Sequence, residues 1–221
     1  MNVLLLVGSP KPRASASRSF GNALMTRLAA RGAQTREARV TPSFQSPDAM
    51  RRLLDDIAWS DLVVLSFPLY VDALPAPVVR MFEAWADAAA TADSPLRSTR
   101  LAALTQCGFP ETRHCAPALD ICRSFCRETG VSWAGGLAFG MGGAIDGRPV
   151  EKSPLARALP AFDEAADALM AGRQIPASAV ELVGRRLVPN WVYVWFGGIG
   201  WWWLARRRGA REPLRLRRYA Q

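Results

Sequence analysis

Five short apolar runs, separated by longer segments of helical period, constrain the fold of this chain more than any other feature. The runs cover residues 2–7, 34–40, 62–67, 101–106 and 131–139. In DLVVLSFP the apolar character is nearly continuous, as expected for a parallel strand that helices cover on both faces. Helical periodicity predicts helices over residues 15–31, 48–59, 78–90, 113–129 and 155–171. The alternation predicts an α/β fold with a five-stranded parallel sheet.

The positive charge of the chain is concentrated at its C-terminal end. The 221 residues have a formal net charge of +9, but residues 185–221 contain nine arginines and only one acidic residue. Residues 1–184 hold 19 basic and 18 acidic residues, so the body is nearly neutral. Five of the eight tryptophans also lie in the last segment. The composition therefore changes near residue 184, where a nearly neutral body meets an aromatic and basic segment.

The first residues and the cysteine content favour a cytoplasmic location. MNVLLLVGSP has a five-residue apolar run with no basic residue before it and no small-residue cleavage site after it, so we interpret it as a strand and not as a signal peptide. Four cysteines cannot form a dense disulfide scaffold, and one histidine leaves little for a zinc site. We expect a reducing compartment and no bound metal.

The loop after the first strand, GSPKPRASAS, runs directly into the first helix. Helix N-termini bind anions through their free N–H groups, and this loop adds hydroxyl and cationic side chains, at Ser9, Lys11, Arg13, Ser15 and Ser17. The set suits a phosphate dianion. The alternative is that Ser15 only caps the helix.

Two more loops end strands at the same predicted sheet edge, where α/β proteins bind ligands. PLYVDALPAP follows the third strand, and its Tyr70 is either a platform for a flat ring or packed against its own helix. TQCGFPE follows the fourth strand; Gln106 supplies hydrogen-bonding groups, and Gly108 allows a ligand to come close to the backbone. A Cys107 nucleophile with His114 as its base is a competing idea, which the lack of a nucleophile elbow disfavours.

Three other cysteines, Cys115, Cys122 and Cys126, fall on one face of the fourth helix. We interpret them as small buried apolar residues and not as a metal site. The glycines of residues 136–147 do not form GxGxxG between a strand and a helix, so we expect them to shape the loop after the fifth strand.

Taken together, GSPKPRASAS, SFPLYVDALP and CGFPE resemble the flavodoxin-like NAD(P)H-dependent oxidoreductases, the FMN reductase and quinone reductase superfamily. The similarity covers residues 1 to about 172, so it implies a flavodoxin-like FMN-binding domain of residues 1–172 and a Trp- and Arg-rich C-terminal extension of residues 173–221. It implies a flavodoxin-like sheet of strand order 2-1-3-4-5. The chain departs from true flavodoxins in lacking their TxTGNT-type phosphate loop, which argues against a small electron carrier.

The resemblance also implies which residues hold FMN. The phosphate would lie against Ser9, Ser15, Ser17 and nearby backbone amides such as that of Ala16, with charge from Lys11 and Arg13. The isoalloxazine would be lined on one edge by Pro68, Leu69, Tyr70 and Val71. Its other edge would meet Gln106, Cys107, Gly108 and Phe109.

These expectations favour an FMN-dependent enzyme that passes hydride from NAD(P)H to a quinone-like or other small acceptor. Such chemistry resides in the cofactor and requires no acid–base pair, so we assign no catalytic side chain. One alternative is a flavodoxin-like binding module without redox activity, attached to a membrane or partner through its extension. A nucleic-acid binder is disfavoured, because the arginines follow an apolar tryptophan cluster and no nucleic-acid-binding fold accompanies them.

The extension contains nineteen residues without charge, Leu187 to Ala205, between two groups of arginines. This length is just enough to span a bilayer, but Pro189, Asn190 and the glycines weaken that interpretation. Tryptophans near the basic end suit an interface better than a hydrocarbon centre. We rank a segment packed at a dimer or domain surface first, peripheral membrane contact second and a membrane span last, and we expect a homodimer.

Overall fold

The computed structural model describes residues 1–11, 14–145 and 147–209, and it confirms the predicted alternation of strands and helices. The strands are β1 (Asn2–Val7), β2 (Gln34–Arg39), β3 (Leu62–Pro68), β4 (Arg100–Gln106) and β5 (Ser132–Phe139). The helices are α1 (Ala16–Ala30), α2 (Pro47–Trp59), α3 (Ala76–Ala88), α4 (Ala116–Thr129), α5 (Leu159–Met170), α6 (Ala177–Gly184) and α7 (Asn190–Arg207). Five of these helices correspond to predicted ones; α6 and α7 were not predicted as helices.

The strands form one parallel sheet in the order β2-β1-β3-β4-β5, as predicted. The strand order reverses at β1, which pairs with β2 on one side and β3 on the other. Val7, the last residue of β1, pairs with Arg39 on one side and Ser66 on the other. The loops after β1 and β3 therefore leave the same sheet edge, which is where ligands bind in open α/β folds.

The sheet is buried on both faces because its central strands are apolar throughout. Alternate residues of β1 contribute to two separate cores: Val3, Leu5 and Val7 pack on one side and Leu4 and Leu6 on the other. The first core includes residues of α1, α5 and α6, and the second includes residues of α2, α3 and α4. The continuous apolar runs of the sequence follow from this two-sided burial.

The turn from β1 into α1 is packed closely against β3 and α3. The Gly8 N–H donates a hydrogen bond to the Ser66 carbonyl oxygen at 2.8 Å. A Cβ atom at Gly8 would lie 2.6 Å from Val78 Cγ2 and 2.9 Å from Phe67 Cβ, too close for any side chain without movement. Glycine at this position lets the first loop lie directly on the neighbouring elements.

The chain forms two compact units, Met1–Leu187 and a second that begins at Val188. Residues 173–187, which the resemblance assigns to the extension, lie in the first unit. There α6 buries Ala179 and Val183 in the core that contains α5. Of the helices in the described residues, none is long and apolar enough to cross a bilayer.

We predict that Gly8→Ala lowers the free energy of unfolding by about 1–3 kcal/mol, because overpacking forces the backbone or Val78 to move. Gly184→Ala is the matched control, since its Cβ would meet only Thr112 Oγ1 at 3.7 Å. Chemical denaturation of both variants measures the difference. Equal stabilities would show that the Gly8 site relaxes without cost.

Candidate functional site

A cleft of about 210 Å³ opens at the carboxyl edge of the sheet, beside the reversal of strand order. Four loops meet there, those that follow β1, β3, β4 and β5. The cleft is lined by Ser9, Lys11, Ser15, Ala16, Pro68, Leu69, Tyr70, Gln106, Cys107, Gly108, Gly142 and Gly143. Ten of the residues that the sequence analysis predicted for FMN binding, from three loops far apart in sequence, thus lie at one site.

The N-terminus of α1 forms one end of this cleft. Ser15 is the N-cap, and its Oγ accepts a hydrogen bond from the Arg18 N–H at 3.2 Å. The capping role of Ser15 is thus present in the structure, and its hydroxyl proton is still able to donate to a ligand. Helix geometry leaves the amides of Ala16 and Ser17 without intrahelical acceptors. Hydroxyl and amide donors therefore lie together at the positive end of a helix dipole, and Lys11 is part of the same cleft lining.

Ser17 lies beneath the cleft and is not part of its lining. Its carbonyl oxygen accepts a hydrogen bond from Ser66 Oγ at 2.7 Å, and its own Oγ accepts one from Gln106 Nε2 at 3.0 Å. All three side chains are buried. These bonds fix the first turn of α1 to β3 and β4, so they position the donors at the helix N-terminus.

Three other predicted site residues are placed differently or not at all. Val71 is almost fully exposed, and Phe109 is half exposed with its ring centroid 4.7 Å from that of His114. Neither side chain belongs to the cleft lining. Arg13 lies outside the described residues.

The loop after β3 folds into a tight hairpin at the mouth of the cleft. Tyr70 and Ala73 exchange two backbone hydrogen bonds of 3.0 Å, with Val71 and Asp72 between them. Both central residues have positive φ, 50° and 56°, as in a type I′ turn. Such a conformation is unfavourable for a β-branched residue such as Val71. Tyr70 is 45% exposed, so its ring is open to solvent at the cleft.

The loop after β4 is held between β3 and the glycine-rich loop after β5. The Gln106 carbonyl accepts from the Leu69 N–H at 2.9 Å, and the Cys107 carbonyl accepts from the Gly142 N–H at 2.9 Å. A Cβ at Gly142 would come within 2.7 Å of the Gln106 side chain. The β5 loop therefore completes the cleft wall, a role that the sequence interpretation did not assign to Gly142 and Gly143. The sequence feature that could have indicated this role is GMGG, residues 140–143, which follows β5, the strand beside β4.

Cys107 lines this wall, and Cys115 is buried at the start of α4. Interaction with the Cys115 thiol lowers the pKa of Cys107, against the opposing effect of burial. The same interaction, together with burial, raises the pKa of Cys115. In its protonated form, Cys107 Sγ lies 3.5 Å from the carbonyl oxygens of Phe109 and Glu111. Cys107 thus places a thiol of lowered pKa in the cleft lining.

Comparison with known proteins agrees with this geometry. A sequence model described as the flavodoxin-like fold matches residues 1–113. The chain belongs to the flavodoxin-like fold family. No curated protein sequence gave a match.

Solved structures of this flavodoxin-like fold superpose over most of the chain. An NAD(P)H:quinone oxidoreductase from Methanothermobacter marburgensis is 18% identical, with a TM-score of 0.57, and covers 76% of this chain and 96% of its own. An FMN-dependent NADH-azoreductase from Bacillus anthracis, in complex with FMN, is 10% identical with a TM-score of 0.55, covering 76% and 99%. A flavone reductase is 13% identical with a TM-score of 0.62, covering 83% and 70%. At these identities the likeness concerns the fold.

We predict that Val71→Asn raises the free energy of unfolding by about 1 kcal/mol, because asparagine tolerates positive φ whereas a β-branched side chain does not. Val71→Thr is the matched control, since threonine keeps the β-branch and changes only polarity. Thermal and chemical denaturation report the change. Equal stabilisation by both substitutions would show that the gain comes from removing an exposed apolar side chain and not from relieved strain.

Proposed function

We propose that this protein is an FMN-dependent oxidoreductase that passes reducing equivalents from NAD(P)H to a quinone-like or other small acceptor. The observation that carries the proposal is the cleft beside β1, in which an open helix N-terminus and an exposed tyrosine lie at one sheet edge. Solved neighbours of the same fold include proteins named as FMN-dependent, NADH-dependent or quinone-reducing enzymes.

The first loop fits the phosphate of FMN. Ser9 and Ser15 are buried residues whose hydroxyls belong to the cleft lining, and the Lys11 backbone N–H donates a hydrogen bond to Ser9 Oγ at 3.4 Å. With the amides of Ala16 and Ser17, these groups supply several donors and a positive charge without a Walker loop. A dianion is the ligand that such a donor set favours.

The opposite end of the cleft fits a flat ring system. Pro68, Leu69 and Tyr70 form an apolar and aromatic edge, whose backbone is fixed by the Leu69–Gln106 hydrogen bond. Gly108 and Gly143 add no side chains to the cleft lining, and a Cβ at either would meet no atom within 4 Å. A planar ligand could therefore stack against Tyr70 with its edge close to backbone groups.

Bound FMN would supply the two-electron chemistry that links a nicotinamide donor to an acceptor. The residues of the chain would orient the ring, exclude water from one face and donate hydrogen bonds to its edge. Within the described residues we assign one phosphate site, at the N-terminus of α1, and this favours FMN over FAD. The absorbance spectrum of the purified protein distinguishes this enzyme from a binding module without redox activity, because bound oxidised flavin is yellow.

Replacing the hydroxyls that face the phosphate should weaken FMN binding. We expect Ser9→Ala to cost about 1.5–3 kcal/mol of FMN binding free energy, the contribution of one charge-assisted hydrogen bond. Riboflavin, which lacks the phosphate, should bind the variant and the parent protein equally. Fluorescence titration with both flavins measures this difference.

Ser46→Ala is a matched control for Ser15→Ala, because Ser46 caps α2 in the same way: its Oγ accepts a hydrogen bond from the Ala49 N–H at 3.2 Å. Ser15→Ala and Ser46→Ala should each lower the free energy of unfolding by about 1 kcal/mol. Only Ser15→Ala should also lose FMN affinity. Unchanged FMN affinity in both Ser9→Ala and Ser15→Ala would refute the phosphate assignment.

We also propose that the extension attaches the protein to an anionic membrane surface. Helix α7 has no charged residue before Arg206, and none of its residues is buried. Five exposed tryptophans lie along it: Trp191, Trp195, Trp201, Trp202 and Trp203. Apolar exposure of this extent marks a contact surface.

The arginines at the end of α7 favour lipid as the partner. Arg206 lies over the Trp202 ring at 5.2 Å, and Arg207 lies over the Trp203 ring at 4.5 Å. Paired tryptophan and arginine side chains at one helix end suit the boundary between acyl chains and anionic headgroups. The homodimer expected from the sequence remains a prediction and is an outcome of the same test.

We predict that the full chain floats with vesicles rich in phosphatidylglycerol, less so at high salt, and only weakly with phosphatidylcholine vesicles. Replacing Arg206, Arg207 and Arg208 with glutamine should reduce binding at least tenfold, since each interfacial arginine contributes about 1 kcal/mol. The charge-matched control replaces Arg51, Arg123 and Arg127, which are exposed in the body.

Equal losses in the two triple variants would show that only net charge matters. The parent protein could instead fail to bind vesicles, and Trp201→Ser and Trp203→Ser could abolish self-association in sedimentation. That result would show that α7 is a protein interface. Flavin content is measured in parallel, because a variant that keeps its flavin has an intact cleft and its change in vesicle binding or self-association then comes from α7.

A further inference from the structure

We propose that Arg39, the last residue of β2, is a positioning residue of the phosphate site, which holds the loop after β1 in the conformation that binds FMN phosphate. The inference rests on the proposed function. The sequence patterns did not single out Arg39, and none of the described residues of the cleft lining comes from β2. Arg39 acts through Lys11 and Ser9 and not by contact with the ligand.

The register of the sheet places Arg39 beside the start of this loop. Arg39 pairs with Val7, the last residue of β1, in the parallel ladder. The residue after it, Val40, donates its N–H to the Val7 carbonyl oxygen at 3.1 Å. Because both strands end at the same sheet edge, a long side chain at position 39 reaches the residues that follow β1. Its Nη2 atom donates a hydrogen bond to the Lys11 carbonyl oxygen at 2.8 Å.

Lys11 is thereby held at both of its main-chain groups. Its carbonyl oxygen accepts from Arg39, and its N–H donates to Ser9 Oγ at 3.4 Å. Since the Ser9 oxygen accepts this bond, the Ser9 hydroxyl proton stays available for an acceptor in the cleft. Pro10 and Pro12 flank Lys11 and have no N–H, so Lys11 supplies the one main-chain donor of residues 10–12. The bond from Arg39 therefore helps to fix the donor that orients the Ser9 hydroxyl.

The phosphate site thus has two parts that are fixed in different ways. Ser9 and Lys11 belong to the loop part of the cleft lining, which Arg39 holds. Ser15 belongs to the helix part, and its Oγ is fixed separately by the N-cap bond from the Arg18 N–H at 3.2 Å. Loss of the Arg39 bond therefore leaves the helix part in place. We expect such a loss to weaken phosphate binding without abolishing it.

Arg36 provides a matched control on the same strand. Its guanidinium pairs with Asp56 at 3.2 Å and lies over the Trp59 ring at 3.9 Å from the centroid. Removing either guanidinium takes one positive charge from β2, but only that of Arg39 is bonded to the loop after β1. A difference between the Arg39 and Arg36 variants therefore reports the bond to the loop and not the net charge of the strand.

The experiment titrates the full-length protein and its variants with FMN and with riboflavin, followed by flavin fluorescence. We expect Arg39→Met to weaken FMN binding about tenfold, a loss within the range of one charge-assisted hydrogen bond. Riboflavin, which lacks the phosphate, should bind Arg39→Met and the parent protein equally, and this binding also shows that the variant is folded. Arg36→Met should bind both flavins as the parent protein does.

A double-mutant cycle with Ser9→Ala tests the route of the effect. Residues of one hydrogen-bond network are energetically coupled, so the effect of Arg39→Met should shrink when the Ser9 hydroxyl is absent. We expect Arg39→Met to weaken FMN binding by about threefold or less in the Ser9→Ala background, against about tenfold in the parent protein. A guanidinium that touched the phosphate itself would give the same loss in both backgrounds.

Several outcomes would overturn the inference while the proposed function stands. They are FMN affinity that Arg39→Met leaves unchanged, equal losses of FMN and riboflavin affinity, an equal loss of FMN affinity in Arg36→Met, and a loss of the same size with and without the Ser9 hydroxyl. A parent protein that binds neither flavin would overturn the proposed function and this inference together.

Discussion

The candidate site depends on the buried hydrogen bond from Gln106 Nε2 to Ser17 Oγ. It connects the end of β4 to the first turn of α1, and Ser66 Oγ adds a second connection from β3 to the Ser17 carbonyl. A buried polar group that loses its partner costs about 1–3 kcal/mol, so these bonds hold the helix N-terminus firmly at the sheet edge. The donors that face the cleft, at Ser9, Ser15 and Ala16, keep their positions because the residue beneath them is fixed.

Close backbone packing completes what these hydrogen bonds begin. Gly8 lets the first loop lie against Phe67 and Val78, and Gly142 lets the loop after β5 lie against Gln106. The cleft is thus formed by glycine-containing loops on a rigid apolar sheet. Such a cleft would offer a ligand mainly backbone groups and a few hydroxyls, which suits a cofactor that carries its own reactivity.

The sequence predicted the sheet well because its information is local and repeated. Continuous apolar runs require two-sided burial, and the resemblance carried by three loops implied the strand order. The sequence predicted less about individual side chains in those loops. Ser17 is one residue from Ala16, yet it points into the sheet edge and bonds Gln106, since helical geometry turns successive residues by about 100°. The positive φ of Val71 could not be predicted from the sequence, because no glycine or asparagine lies in that turn.

The central claim is that the cleft beside β1 holds FMN with its phosphate at the N-terminus of α1. A crystal structure of the full chain grown with saturating FMN tests it most directly. We expect phosphate density within hydrogen-bond distance of Ser9 Oγ and the Ser15 hydroxyl, and ring density between Tyr70 and the loop that contains Gly108. Well-ordered crystals in which this cleft holds only water at saturating FMN, or in which FMN lies elsewhere, would contradict the account.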